Sequence, residues 1–257
     1  FMISMITLSF VGYLKLYPAH ELHSAVQDGD FAKVKHLIER GRNVNSRDVF
    51  NSGATPLIAA VKSNNLGIAL YLLDQGANVH ADVEGHTSLH SAAKRGFAQI
   101  SNLLIKRGAK VDAENLYGQT PLMTAAAFGH IDVIDLLLTN HADLNLRDVQ
   151  GLSPYLAACE SGKIEAVEFI LKKGVDLNSK NLRGSTCLIF ASYYGHTELA
   201  KMLIQQKGIL LDELDVDGDS ALANAKDKGF VALAEVLQKA GSKFEQRQNI
   251  GKSAQNQ

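Results

Sequence analysis

A repeat of about 33 residues constrains the fold of this chain more than any other feature. Six turn glycines are separated by 32, 33, 33, 33 and 34 residues. They are Gly53, Gly85, Gly118, Gly151, Gly184 and Gly218. A period of this length indicates a solenoid of stacked helical units, because one short unit can bury its apolar face only against its neighbours.

The unit at residues 117–148 shows what each repeat contains. Gly118 opens a turn, and Thr120 and Pro121 follow as a helix N-cap and a first helical residue. A threonine hydroxyl accepts a free backbone N–H, and proline suits a position whose own N–H needs no partner. Two helices are predicted, over 122–128 and 132–138. The second helix of the other repeats ends at a glycine, where a left-handed conformation is favourable, whereas His141 takes this place in the fourth repeat.

This pattern resembles the ankyrin repeat, whose consensus reads roughly D-x-x-G-x-T-P-L-H-x-A-x-x-x-G-H-x-x-I-V-x-L-L-L-x-x-G-A-D-x-N. The resemblance covers residues 20–242 as seven units, with atypical first and last units that act as caps. It implies an all-α fold of stacked helix–turn–helix units with projecting β-turn loops. Residues 1–19 form a separate apolar segment, and residues 243–257 form a polar C-terminal tail that we expect to be disordered.

The apolar run at residues 1–14 is too short for an ordinary transmembrane helix but has the length of the apolar core of a secretory signal. No basic residue precedes it, and Tyr17-Pro18-Ala19 is a poor cleavage site. We expect an export signal or membrane anchor and a periplasmic or envelope location. The alternative is an extra helix packed on the first repeat of a cytoplasmic protein.

Charge and cysteine content limit the kinds of partner and site that we expect. The net charge is -1 and the pI is about 6.8, which argues against a protein that neutralises nucleic-acid phosphates or coats a membrane. Cys159 and Cys187 are 28 residues apart and therefore out of phase with the repeat. We expect them to be small buried thiols rather than a disulfide.

No catalytic constellation stands clear of the repeat pattern. His23, His90, His130 and His196 fall at the histidine positions of the ankyrin consensus, where the resemblance implies hydrogen bonds between loop and helix backbone. Asp215 to Asp219 resembles the start of a calcium loop, but its twelfth position is Lys226 rather than a glutamate. We expect no enzyme activity, cofactor, metal or small-molecule substrate.

Candidate binding residues occupy the positions that vary between repeats, at the turn tips and near the ends of the first helices. In ankyrin proteins these positions line a concave groove that holds partners. The resemblance therefore implies aromatic anchors with charged neighbours, because such residues dominate protein interfaces. The anchors are Tyr117, Phe128, Tyr193 and Tyr194, and the charged residues are Lys94, Arg95, Glu160 and Arg183.

We expect a non-catalytic module that binds a partner protein on this face and is a monomer when free. The alternative is an exported envelope protein that protects or inhibits a specific enzyme, in an immunity-type or chaperone-like role.

Overall fold

The computed structural model of the protein describes residues 18–48 and 52–243, and within these ranges it contains fourteen helices and one two-stranded sheet. The predicted export signal or anchor at residues 1–14 and the tail from residue 244 onward lie outside the described residues. The chain separates into two compact units. Among the described residues, the first unit contains those up to Pro121 together with 135–142, and the second contains 122–134 and those from Asp143 to 243.

Paired short helices build each unit, as the repeat predicts. The first unit contains α1 (Pro18–Gln27), α2 (Phe31–Glu39), α3 (Pro56–Lys62), α4 (Leu66–Asp74), α5 (Ser88–Arg95) and α6 (Ala98–Lys106). The fourth repeat, α7 (Pro121–Phe128) and α8 (Ile131–Thr139), contributes residues to both units. The second unit contains α9 (Pro154–Glu160), α10 (Ile164–Leu171), α11 (Cys187–Tyr194), α12 (Thr197–Ile204), α13 (Ala221–Asp227) and α14 (Val231–Lys239).

The helices stack in the order of the chain. In the first unit α3 packs against α1, α4 and α5, and in the second unit α11 packs against α9, α12 and α13. In both examples a first helix contacts its own second helix and the first helices of the adjacent repeats. This is the all-α ankyrin architecture that the repeat pattern predicts.

Hydroxyl side chains start the first helices. Thr55, Thr87, Ser153, Thr186 and Ser220 each accept the backbone N–H of the third residue after them, at donor–acceptor distances of 3.2–3.4 Å. The N-cap reading of the Thr-Pro-Leu-like trios is thereby confirmed at these five positions. Such a cap contributes typically ~1 kcal/mol, because it satisfies one of the backbone donors that a helix start leaves free.

Left-handed residues follow the second helices, also as predicted. The closing glycines have φ between 83° and 98°. They are Gly41, Gly76, Gly108, Gly174, Gly208 and Gly241. His141 adopts the same conformation with φ of 65°, which costs a residue with a Cβ atom roughly 1 kcal/mol.

The recurring leucines and alanines of the first helices form the core. Each is no more than 1% exposed. They are Leu57, Ala60, Leu89, Ala92, Leu122, Ala125, Ala158, Leu188 and Ala191. The division of the repeat into constant and variable positions therefore identifies buried side chains correctly. Alanine at the constant positions leaves little side chain between neighbouring helices, so that their backbones can approach closely.

Histidines bridge the loops to the helices in both units. His23 Nε2 lies 2.7 Å from the Ala54 carbonyl oxygen, and His90 Nε2 lies 2.9 Å from that of Gln119. In the second unit His196 Nε2 lies 3.0 Å from the Glu160 carbonyl oxygen. Since a carbonyl oxygen only accepts, each ring nitrogen donates its proton. The predicted bridging role is confirmed for these three histidines.

The turns project as short hairpins or hydrogen-bonded loops. In the first unit β1 (Asp82–Val83) pairs antiparallel with β2 (His86–Thr87), and Asp48 forms an isolated bridge with Ala54. Asparagines join successive exit loops: Asn178 Nδ2 donates to the Gly208 carbonyl at 2.8 Å and its Oδ1 accepts the Leu210 N–H at 3.0 Å. The limited strand content agrees with an all-α assignment.

The expectation that the two cysteines are free thiols is wrong. Cys159 and Cys187 form a disulfide, with their Cα atoms 5.2 Å apart, and both are fully buried. Cys159 lies in the last turn of α9 and Cys187 opens α11, and these helices pack side by side. Comparing equivalent repeat positions could not find this pair, because the bond joins the last turn of one first helix to the first residue of the next.

A buried leucine of the fourth repeat provides a test of the core assignment. Leu137 on α8 is fully buried. Leu137→Ala is expected to lower the free energy of unfolding by roughly 2–5 kcal/mol, because it removes buried apolar contacts and leaves a cavity. Urea denaturation measures this change. Leu116→Ala is the matched control, since Leu116 is 71% exposed and its truncation should change stability by less than about 0.5 kcal/mol.

His90 should make the stability of the first unit depend on pH. Burial lowers the pKa of His90 from 6.5 to about 4, so the ring is neutral in the folded state. The unfolded state therefore binds a proton more readily, and the stability present above pH 6.5 is lost as pH falls towards 4. We expect His90 to contribute roughly 2 kcal/mol of destabilisation between pH 7 and pH 5.

Urea melts of the wild type and His90→Gln at both pH values measure this contribution. The variant should lose less stability on acidification, whatever its stability at pH 7. Equal losses in the two proteins would show that His90 is not the group responsible.

Candidate partner-binding site

Four of the residues predicted to bind a partner line one groove of the second unit. Tyr193 and Tyr194 end α11, Glu160 ends α9, and Arg183 lies at a turn tip. We call this groove, of about 300 Å³, the tyrosine groove. Its lining residues are Gln150, Glu160, Asn181, Arg183, Ser185, Ile189, Phe190, Tyr193, Tyr194, Asp215 and Asp217.

The two tyrosines are exposed because they follow the last core positions of α11. Leu188, Ala191 and Ser192 are buried, and left-handed Gly195, with φ of 75°, ends the helix directly afterwards. The side chains of Tyr193 and Tyr194 are 43% and 46% exposed. Their rings meet edge to face, with centroids 5.0 Å apart and planes 80° apart. An edge-to-face contact of this kind holds aromatic rings in a defined orientation.

Tyr194 and Glu160 come from adjacent repeats and share a hydrogen bond. The Tyr194 hydroxyl donates to Glu160 Oε1 at 3.3 Å. Burial, the negative charge of Glu160 and this hydrogen bond raise the pKa of Tyr194 above its ordinary value. The phenol therefore remains a neutral hydrogen-bond donor at neutral pH.

Tyr193 already holds a cation of the protein itself. Lys228 Nζ lies 4.2 Å from the centroid of the Tyr193 ring. A cation above an aromatic face is attracted by the negative charge density of the ring. The exposed aromatic wall of the groove therefore favours positive charge.

The turn tips supply the remaining charges. Arg183 Nη2 lies 2.5 Å from Asp217 Oδ2, and both side chains are exposed. An ion pair so open to water contributes little to stability. Asp215 Oδ1 accepts the backbone N–H groups of Asp217 and Asp219, each at 3.0 Å, and so holds the shape of this turn. Three carboxylates and one guanidinium thus line the tyrosine groove.

The other predicted residues are exposed but do not line this groove. Phe128 ends α7 and is 47% exposed, with its ring stacked on His130 at a centroid distance of 6.4 Å. Tyr117 belongs to the first unit and is 62% exposed. Lys94 and Arg95 end α5, also in the first unit, and are exposed.

Sequence reasoning did not select Phe190 or Asp215, which also line the groove. Asp215 holds the repeat position that shapes a turn, and Phe190 is buried and reads as core. No sequence signal separates such residues from their equivalents in other repeats. Their place in the groove depends on what surrounds them.

A cluster of metal-binding side chains and a membrane-spanning helix are both absent from the described part of the chain. Residues 18–48 and 52–243 contain no group of three or more histidine, cysteine, aspartate or glutamate side chains arranged to hold a metal ion. Within the same ranges every helix is too short or too polar to cross a bilayer.

The chain belongs to the ankyrin-repeat family. The family model for ankyrin repeats (3 copies) matches residues 22–115, 79–148, 102–181 and 155–248. Ankyrin repeats are generally protein–protein interaction modules, and this family assignment points to a non-catalytic interaction domain.

Curated relatives match only a part of the chain. The B-cell lymphoma 3 protein homolog of Mus musculus is 40% identical over 97 residues, which are 37% of this chain and 21% of that protein. Protein phosphatase 1 regulatory subunit 27 of Mus musculus is 37% identical over 91 residues, 35% of this chain and 58% of that protein. The alpha-latrotoxin-Lg1a of Latrodectus geometricus is 37% identical over 101 residues, 37% of this chain and 7% of that protein. The matched segments thus span less than two thirds of each of these relatives.

Proposed function

We propose that this protein is a non-catalytic module that binds a partner protein on the concave face, where turn tips and first-helix ends lie together. The tyrosine groove is the centre of this contact in the second unit. The observation that carries the proposal is the exposure of two ordered tyrosines, at 43% and 46%, beside charged groups at positions that the helix stack does not use.

The chemistry of these residues suits an interface. Tyrosine gives a large contact area with few rotatable bonds, so that little conformational entropy is lost on binding. The edge-to-face packing of Tyr193 and Tyr194 already restricts both rings before a partner arrives. Phe128 adds a further anchor in the second unit. Tyr117, Lys94 and Arg95 are exposed in the first unit, and the proposal assigns them to its part of the contact.

The similarity to protein phosphatase 1 regulatory subunit 27, which its name describes as a regulator, also supports a binding function. We propose that the free protein is a monomer and that its ligand is a protein rather than a nucleic acid or a small-molecule substrate.

Truncation of an anchor tests the proposal directly. Tyr194→Ala and Phe128→Ala are each expected to weaken partner binding by at least ~2 kcal/mol, or about thirtyfold in dissociation constant. Titration calorimetry measures this against the protein that co-purifies with tagged wild type. The melting temperature should change by less than about 2 °C, because both side chains are about half exposed.

Phe169→Ala is the matched control, since Phe169 is an aromatic residue of α10 outside the tyrosine groove. It should leave the affinity unchanged. Unchanged affinity in both anchor variants would contradict the proposed binding face, and a large fall in their melting temperature would assign the anchors to the core.

A second proposal concerns the compartment and the partner class. We propose that the protein is exported to the periplasm or envelope and there protects or inhibits a specific enzyme. The buried Cys159–Cys187 disulfide supports this location, because disulfides persist in oxidising compartments and are rare in the cytosol. The apolar run at residues 1–14 is consistent with an export signal.

The redox state of the native protein tests the location. When the protein is extracted from its own cells directly into denaturant that contains a thiol-alkylating reagent, Cys159 and Cys187 should carry no label, because denaturation exposes these buried positions to the reagent. The same protein, reduced in denaturant before alkylation, should be labelled on both. Labelling without prior reduction would mean that the cysteines are thiols in the cell and would favour a cytoplasmic protein.

A further inference from the structure

The carboxylates that line the tyrosine groove outnumber the cations that line it. Glu160, Asp215 and Asp217 face a single lining cation, Arg183, which already pairs with Asp217. Among the described residues, no lysine, arginine or histidine forms an ion pair with the carboxylate of Glu160 or Asp215. Two carboxylates of the groove are therefore available to a cation from outside.

The aromatic wall of the tyrosine groove also favours a positively charged ligand. Lys228 Nζ above the Tyr193 ring shows that this tyrosine accepts a cation in the free protein. Tyr194 and the buried edge of Phe190 continue the wall, with ring centroids 6.5 Å apart and nearly parallel planes. Arginine and lysine both bind such rings through the charge, while their aliphatic stems cover apolar surface.

Hydrogen-bond directions also suit a donor. The Tyr194 hydroxyl gives its proton to Glu160, so its oxygen can still accept a hydrogen bond, as can the carboxylate of Glu160. Asp215, which lines the groove, uses Oδ1 for two backbone N–H groups, so its Oδ2 remains as an acceptor. An acidic or wholly apolar segment would bury these carboxylates without compensation.

We propose that the tyrosine groove receives one positively charged side chain, an arginine or a lysine, from a segment of the partner protein. This inference rests on the proposed function and specifies its chemistry. The aromatic pair binds the stem and charge, and Glu160 and Asp215 bind the donors. Charge-assisted hydrogen bonds of this kind are stronger than neutral ones and set the register of a bound segment.

A displayed random-peptide library, panned on the full chain, provides defined probes. Peptides that bind the wild type in preference to Tyr194→Ala should share an arginine or lysine at one aligned position. Replacing that arginine by citrulline removes the charge with little change of shape, and replacing that lysine by acetyllysine removes the charge by converting the amine to an amide. The affinity of the tightest peptide is then expected to fall roughly tenfold or more. Exchange of arginine and lysine at this position identifies which of the two the groove prefers.

Glu160→Gln is the matching change in the protein, because it removes the charge and keeps an acceptor for the Tyr194 hydroxyl. This variant should lower the affinity for the unmodified peptide by a similar factor and leave the affinity for the citrulline or acetyllysine peptide almost unchanged. Lys163→Gln, a charge change one turn away and outside the groove lining, is the control. A melting temperature within about 2 °C of wild type verifies that each variant is folded.

The outcomes separate the two proposals. The cation inference is overturned if the selected peptides share no cation, or if charged and neutral peptides bind equally well. In either case, binding that depends on Tyr194 still supports the proposed binding face. The cation inference is also overturned if Glu160→Gln weakens the binding of the charged and the neutral peptide equally, because Glu160 would then contribute nothing specific to a cation. A library that gives no peptide dependent on Tyr194 overturns the proposed function and the inference together.

Discussion

Burial of apolar side chains between successive first helices is the interaction on which the rest of this structure depends. A single repeat of two short helices is too small to bury its own apolar face, since isolated helices of this length are marginal in water. Leu188 and Ala191 of α11 are at most 1% exposed because helices on both sides cover them. Every other feature, including the direction of the loops and the exposure of the turn tips, is set once this stack forms.

Buried polar groups then orient the loops on the stack. Loop backbone groups that lose contact with water must find other partners, and the histidine and asparagine bridges provide them. His196 donates a hydrogen bond to the carbonyl oxygen of Glu160 in the preceding repeat, and this bond joins the end of α9 to the loop after α11. The same tie brings the Glu160 side chain towards Tyr194. A bond that serves folding therefore also assembles a wall of the candidate site.

The tyrosine groove concentrates features that the stack does not need. Large aromatic side chains remain about half exposed, and their orientation is maintained by ring contacts and by the hydrogen bond to Glu160. Carboxylates exceed cations around them. A surface that is ordered, aromatic and mainly negative binds selectively, because a partner without positive charge would leave the carboxylates of the groove unpaired. These properties connect the fold of the second unit to the proposed recognition of a positively charged side chain.

Most of the fold could be predicted from the sequence, because it depends on short-range interactions that recur in each repeat. The period, the hydroxyl caps, the left-handed glycines and the alternation of core and surface positions each depend on interactions within a few residues or on a pattern repeated along the chain. Thr186 as a cap, Leu188 as core and Tyr193 as an exposed residue all follow from such rules. Even the left-handed conformation of His141 follows from its place in the repeat.

Only the tertiary structure decided which distant residues meet. Cys159 and Cys187 occupy different repeat positions, and they meet because α9 and α11 pack side by side, which the repeat period alone does not reveal. Glu160 and Tyr194 are 34 residues apart and become a hydrogen-bonded pair only because their repeats stack. Asp215 looks like any other turn residue until the groove forms around it. The sequence thus determined the repeat and the positions that it exposes. Packing between adjacent repeats determined the chemistry of the site, because side-chain contacts between repeats depend on how their helices and loops lie against each other.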